Sequence, residues 1–289
     1  MKQFTEIHLK RLCGIILLDP SKAGAICRII CGHCGDNVNT RIQILKTMKD
    51  YLSNNQEVLT YTFAKMLEQE VTYNDVLLDI YMYYAISGLS NRSSVIRVAA
   101  LRMLNVMVNY NYEFAFNLVD KLIPLIKDEY WEVKIQLHIL ACNLLKKVET
   151  QQNAFKDDLP STSTKEKLQN EKNIFKGKFD MLIKIVDECV DQHSSLLVMR
   201  IAIYYIIPLL NSYKKYYEKL LQLLLALPIE NIAEITDPKC EYIKEAEIQY
   251  TYSCYTWSYK CKCKADNLDK IVLMKTLAEY VLYRLSIGK

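Results

Sequence analysis

Cys27, Cys31 and Cys34 follow one another at C-x3-C-x2-C spacing, with His33 beside the last. A C-x-x-C pair can do dithiol chemistry when a helix N-terminus stabilises the first thiolate and the second thiol resolves the mixed disulfide. Three thiolates so close can also hold metal, with His33 or a distant cysteine as fourth ligand. A second group, Cys254, Cys261 and Cys263, follows C-x6-C-x-C spacing. One intervening residue is too tight for a common zinc knuckle. The four histidines, His8, His33, His138 and His193, lie near no Ser or Cys nucleophile with an acidic orienter. No G-x-x-x-x-G-K phosphate cradle occurs. The expectation is therefore a chain without catalytic residues, cofactor or metal.

The elements needed to position such chemistry point the same way. Cys31-Gly32-His33-Cys34 is similar to the motif of protein disulfide isomerases, which follows a strand and a Trp. Here Ile30 precedes it and the flanking periodicity is helical. C-x3-C-x2-C is similar to the cluster motif of radical SAM enzymes, an α/β-barrel class, and no alternation of strand and helix is present. The cysteines read as free thiols at a helix end, in a reducing, cytoplasmic setting. A thiol- or metal-dependent protein using Cys27, Cys31 and Cys34 stands as the alternative.

Composition favours helices. The 289 residues are 51% hydrophobic, and only 7 Gly and 6 Pro punctuate them. A formal charge of +4 gives no case for nucleic acid. No segment reaches 18 uninterrupted apolar residues, so no membrane span is expected. The first residues superficially resemble a signal peptide. Glu6, His8, Lys10 and Arg11 interrupt them, and an amphipathic first helix is the better reading. Tyr outnumbers Phe by 21 to 7, which suits half-buried positions and interfaces.

Residues 118–148 read LVDKLIPLIKDEYWEVKIQLHILACNLLKKV. An apolar helix containing Pro124 gives way to a polar turn, and a second helix opens at Val133-Lys134. Two helices joined so closely pack antiparallel. The block resembles a HEAT repeat, whose pattern is an internal Pro, a turn Asp (here Asp128), then Val and a basic residue. Comparable second helices begin near Asn39, Ser93, Trp131 and Ser194, with early basic residues Arg41, Arg97, Lys134 and Arg200. Arg97 to Lys134 is 37 positions, close to the family period of roughly 40. Lys134 to Arg200 is 66, and 42 once the polar stretch 149–172 is set aside. Arg41 to Arg97 is 56, with an extra helix expected over 56–70. Further helices are expected near 214–227, 238–258 and 267–286, the last ending at Gly288.

The resemblance implies an all-α, HEAT/armadillo-like α-solenoid of about five to seven helix pairs. Residues 1–148 would form the N-terminal repeats. Residues 149–172 would be an inserted mobile loop, and 173–289 further repeats and a cap. In this family the early basic residue pairs with a turn Asp; Asp36, Asp128 and Asp191 sit near that position. Ser90 and Asn91 replace it in the repeat near Ser93.

Such arrays usually present surfaces. The implied role is a scaffold or adaptor that binds protein partners within a larger assembly, with cytoskeletal, ciliary and vesicle-trafficking complexes as settings. The turns 35–39, 88–93, 127–131 and 191–195 would align along one edge, with Arg92, Lys127, Tyr130 and Trp131 as partner-binding residues. A Trp and basic residues on such turns are similar to the tubulin-binding edge of TOG domains, so tubulin is a candidate partner. TOG domains carry that Trp in the first repeat, whereas Trp131 lies mid-chain. The other usual surface is the inner helix layer, with Arg102, Asn105, Gln136 and Asn143 as candidates.

Overall fold

The computed structural model describes residues 6–35, 37–70, 74–154, 165–210, 212–226, 246–252, 254–261, 263–264 and 267–268. The chain divides into two compact units. One is Met1–Ala115 with Thr251–Trp257, the other Phe116–Tyr250 with Ser258–Lys289.

Unit 1 contains α1 (Glu6–Leu18), α2 (Ala23–Cys34), α3 (Val38–Leu52), α4 (Gln56–Leu67), α5 (Asp75–Gly88) and α6 (Ser94–Met107). Asparagines set three of the helix starts. The side chains of Asn37, Asn55 and Asn74 accept from the backbone N–H groups of Thr40, Val58 and Leu77 at 3.0, 3.1 and 3.2 Å. These are N-caps that satisfy donors the first turn leaves open. α2 stops at Gly35, whose φ of +55° suits a residue without Cβ. In α1, Leu9, Cys13 and Ile16 are buried at helical spacing and Glu6, His8, Lys10 and Arg11 are exposed, as an amphipathic first helix requires, although Ile7 and Leu18 are exposed as well.

The packing alternates. α2 packs on α4 and α4 on α6, while α1 packs on α3 and α3 touches α5. α5 in turn packs closely on α6. Every residue of α4 from Val58 to Leu67 is buried, so this helix is covered on all sides. The same alternation corrects the register read from sequence. α3, expected as a second helix, shares its layer with α1, so Arg41 lies in the opposite layer from Arg97. The helix at 56–67, expected as an extra element, shares its layer with α2 and α6. α2, α4 and α6 begin at residues 23, 56 and 94, at spacings of 33 and 38. α2 and α4 lack an early basic residue, and that is why the pattern hid them.

Unit 2 takes in the end of α7 (Tyr112–Asn117), then α8 (Val119–Leu122), a 3-10 turn (Ile123–Lys127) and α9 (Trp131–Ala154). α10 (Lys165–Glu188), α11 (Leu196–Ile206) and α12 (Tyr216–Leu225) follow. α9 packs on α10 and on α11, and α11 on α12. Pro124 does more than bend its helix: the segment breaks into α8 and the 3-10 turn. The polar stretch 149–172 is helical at both ends, within α9 and α10. Its Lys, Glu and Gln residues are good helix formers. Residues 155–164 lie outside the described residues.

The helical class expected from the sequence holds, with one addition. Ala246–Tyr252 (β1) and Tyr255–Cys261 (β2) form a two-stranded sheet where a helix was expected over 238–258. The chain there alternates Ile248, Tyr250, Tyr252 with polar neighbours, then Tyr255, Trp257, Tyr259. That period of two and the Tyr/Thr/Trp content favour a pleated strand. Short strands β3 (Cys263–Lys264) and β4 (Asn267–Leu268) pair antiparallel. The rest of the helix expected over 267–286 lies outside the described residues. No helix among the described residues is long and apolar enough to cross a membrane.

Candidate partner-binding surfaces

The turn residues stand where helices begin. Arg92 is exposed between α5 and α6. Its carbonyl and that of Asn91 each accept from Arg97 Nη1 at 2.8 Å. Arg97 therefore fastens its own turn. Lys127 and Tyr130 are exposed and Trp131 is half-buried at the start of α9. The Tyr130 N–H donates to Asp128 Oδ1 at 3.0 Å, which fixes the turn. Lys127, Tyr130 and Trp131 thus share one turn of unit 2, while Arg92 belongs to unit 1. At the turn before α11, Asp191 Oδ1 accepts from the His193 N–H at 3.0 Å and the Ser194 hydroxyl at 3.1 Å.

The inner-layer candidates are mostly spent on packing. Asn105 and Gln136 are buried. Arg102 Nε donates to Glu68 at 2.7 Å. Asn143 lines a cleft of about 320 Å³ with Cys142, Lys146, Tyr204 and Tyr205. A second cleft, of about 360 Å³ in unit 1, is lined by Lys49, Gln56, Thr60, Tyr83, Tyr84 and Asn91.

Arg41 makes a buried ion pair with Glu70, and its Nε donates to the Gly35 carbonyl at 3.0 Å. Asp36, its expected partner, lies outside the described residues. The Tyr81 hydroxyl donates to Glu70 Oε1 at 3.2 Å, and the Tyr110 hydroxyl to the Glu70 carbonyl at 2.6 Å. Sequence reasoning placed Arg41 as a turn fastener and missed Glu70, which follows α4 without any pattern of its own. Arg200 is on α11; its side chain lies outside the described residues.

The cysteine cluster sits in the core. Cys27, Cys31 and Cys34 recur along one buried face of α2, and His33 is exposed. Cys27 Sγ donates to the Thr62 carbonyl at 3.7 Å, and Cys34 Sγ to the Ile30 carbonyl at 2.9 Å. Cys31 Sγ meets Met66 Sδ at 3.9 Å. Burial pushes the Cys31 thiol up to about 11, with Arg41 opposing, and raises Cys27 and Cys34 as well. Thiols near the middle and end of a helix gain nothing from its N-terminus, and these three stay protonated near neutrality. Cys254 lies half-buried between β1 and β2. No group of three or more His, Cys, Asp or Glu side chains among the described residues is placed to hold a metal ion. No protein-family model, curated protein or solved structure matches this chain.

Proposed function

We propose that the chain is a non-catalytic α-solenoid of the HEAT/armadillo type that serves as a scaffold or adaptor in a protein assembly. The observation that carries this reading is the alternation in unit 1, where α1, α3 and α5 share one layer and α2, α4 and α6 the other. Each helix pair buries its apolar face only against the next pair, so the layers must be stacked to be stable. Such stacking sends successive turns to common edges, and these turns are fastened by their own caps and by Arg97. Rigid turns carrying exposed Arg92, Lys127 and Tyr130 and half-buried Trp131 suit recognition, because ordering costs little there and Tyr, Trp and Arg dominate binding hot spots.

The test is affinity capture with the full chain and with a Lys127→Ala/Tyr130→Ala/Trp131→Ala variant, each checked for unchanged far-UV circular dichroism. A second variant is Arg92→Ala. A defined set of proteins captured by the wild type and lost from a variant is the expected outcome. Full retention by both variants would refute the turn-edge reading. Co-sedimentation with purified tubulin tests the TOG-like version directly.

A further inference from the structure

Unit 1 is completed by a return of the chain. After Ala115 it receives only seven more residues, Thr251–Trp257. Two of their side chains enter its interior: Tyr255 is 6% and Trp257 2% exposed. Both meet one stripe of α4 formed by Glu57, Tyr61 and Lys65, at steps of four. The Tyr255 hydroxyl donates to Glu57 Oε2 at 3.3 Å, and its ring meets Tyr61 edge-on at 4.9 Å. The Trp257 ring meets Tyr61 at 5.0 Å and 84°, and its face receives the Lys65 ammonium at 4.5 Å.

The match is one of register. Four residues of helix advance about 6 Å. Two residues of strand advance about 6.6 Å and return the side chain to the same face. Two rings spaced i, i+2 on an extended segment can therefore follow the helix row step for step. The row offers a carboxylate for a phenol hydroxyl, a ring for two edge-on contacts, and a cation for an indole face. It is an unusual row for permanent core. Lys65 is 7% exposed, and burial lowers its pKa against the pull of Glu68. An apolar residue would fill the same space without desolvating an ammonium.

We propose that the α4 stripe of Glu57, Tyr61 and Lys65 is a binding site for an extended aromatic-x-aromatic peptide of the Tyr-x-Trp type. Tyr255-Thr256-Trp257 is then its resident, displaceable ligand. The partner it fits is a protein presenting an exposed, extended segment of that chemistry. The resident segment sets a threshold, because a tethered competitor acts at a high effective concentration. This site touches the turn before α6 through the Ser93–Glu57 hydrogen bond but uses none of Arg92, Lys127, Tyr130 and Trp131, so the two readings are tested by different variants.

The experiment uses the full chain carrying Tyr255→Ala and Trp257→Ala, with a fluorescein-labelled peptide of residues 250–260 followed by anisotropy under reducing conditions. The variant should keep its helical circular dichroism and bind the peptide saturably, at least about ten-fold more tightly than the wild type. Adding Lys65→Met to the variant, or replacing Trp by Ala in the peptide, should weaken binding by about ten-fold. Absence of saturable binding by the folded variant, or equal binding by the wild type, would overturn the proposal. Loss of helical signal in the variant would overturn it too, since the segment would then be a fixed part of the core.

Discussion

His138 makes the stability of unit 2 sensitive to mild acid. It lies on α9, fully buried, with the Ala202 backbone as its hydrogen-bonding contact. Burial and then the nearby Lys219 lower its pKa to about 3, and the Ala202 backbone opposes this only in part. In the unfolded chain a histidine titrates near about 6.5. The folded pKa is the lower one, so on acidification the unfolded chain takes up the proton first. Stability is full above about pH 6.5 and is lost as pH falls towards 3. Each unit in that window costs about 1.4 kcal/mol, so moving from pH 7.5 to pH 5.0 costs about 2 kcal/mol. The chain has two tryptophans, with Trp131 in unit 2 and Trp257 in unit 1. A Trp257→Phe background leaves Trp131 as the reporter in urea titrations at the two pH values. His138→Met in that background fills similar space without a proton to bind, and should shrink the pH difference by about 2 kcal/mol. That is a shift of about 1 M urea at a typical denaturant slope. A pH difference unchanged by the substitution would show that His138 is hydrated or paired in solution, and would refute the reasoning.

Three further outcomes follow from buried groups. Glu70→Gln leaves Arg41 charged and buried and should cost about 3–5 kcal/mol, whereas Arg41→Met combined with Glu70→Leu should cost less than either single change, by chemical denaturation read at Trp257. Gly88→Ala puts a Cβ 2.8 Å from Ala100 Cβ and should destabilise by about 1–3 kcal/mol. Gly14→Ala meets nothing within 4 Å and should stabilise by up to about 1 kcal/mol, so calorimetric melting temperatures should move in opposite directions. Alkylation at pH 8 with mass-spectrometric mapping should label Cys254 long before Cys31, whose thiolate fraction is about one in a thousand; prompt labelling of Cys31 would revive a thiol chemistry.

What the sequence made legible was periodic. The apolar spacing of α6, α9 and α11 and the turns before them could be read because each of these helices carries an early basic residue. α4 carries no such mark, and its Thr60 and Lys65 look like solvent-facing residues until the neighbours that cover them are known. The strands at 246–261 were misread for another reason. A long aromatic-rich run satisfies a helical count loosely, but strict alternation with Thr and Ser was the stronger signal and was there to be used. The Tyr255 and Trp257 contacts were beyond reach, because nothing local in residues 251–257 specifies a helix almost 200 positions earlier. The cysteine spacing is a converse lesson. C-x3-C-x2-C is also i, i+4, i+7 on a helix, the spacing of a buried face, and small apolar thiols fill that face in α2.

The buried charges of unit 1 explain how a helix covered on all sides keeps one position. Apolar contact alone holds α4 between α2 and α6 but discriminates weakly between registers one turn apart. Lys65 donates to Glu68 at 3.2 Å, and Arg102 of α6 donates to the same carboxylate at 2.7 Å. Burial pushes the Glu68 carboxyl up, yet Arg102 and Lys65 outweigh it and hold it below the usual range. The Ser93 hydroxyl ahead of α6 donates to Glu57 at the other end of α4, at 2.6 Å. A slip of α4 by one turn, about 5.4 Å, would break both ends of this tie at once. It would part Arg102 from Glu68, which would keep only Lys65 of its own helix, and leave the Arg102 charge without its partner. A hydrophobic replacement of equal volume could match the net stability of the correct stack without that penalty on the wrong one. The charges therefore act on register more than on cohesion, and register is what keeps the Glu57, Tyr61 and Lys65 stripe aligned with the rings of Tyr255 and Trp257.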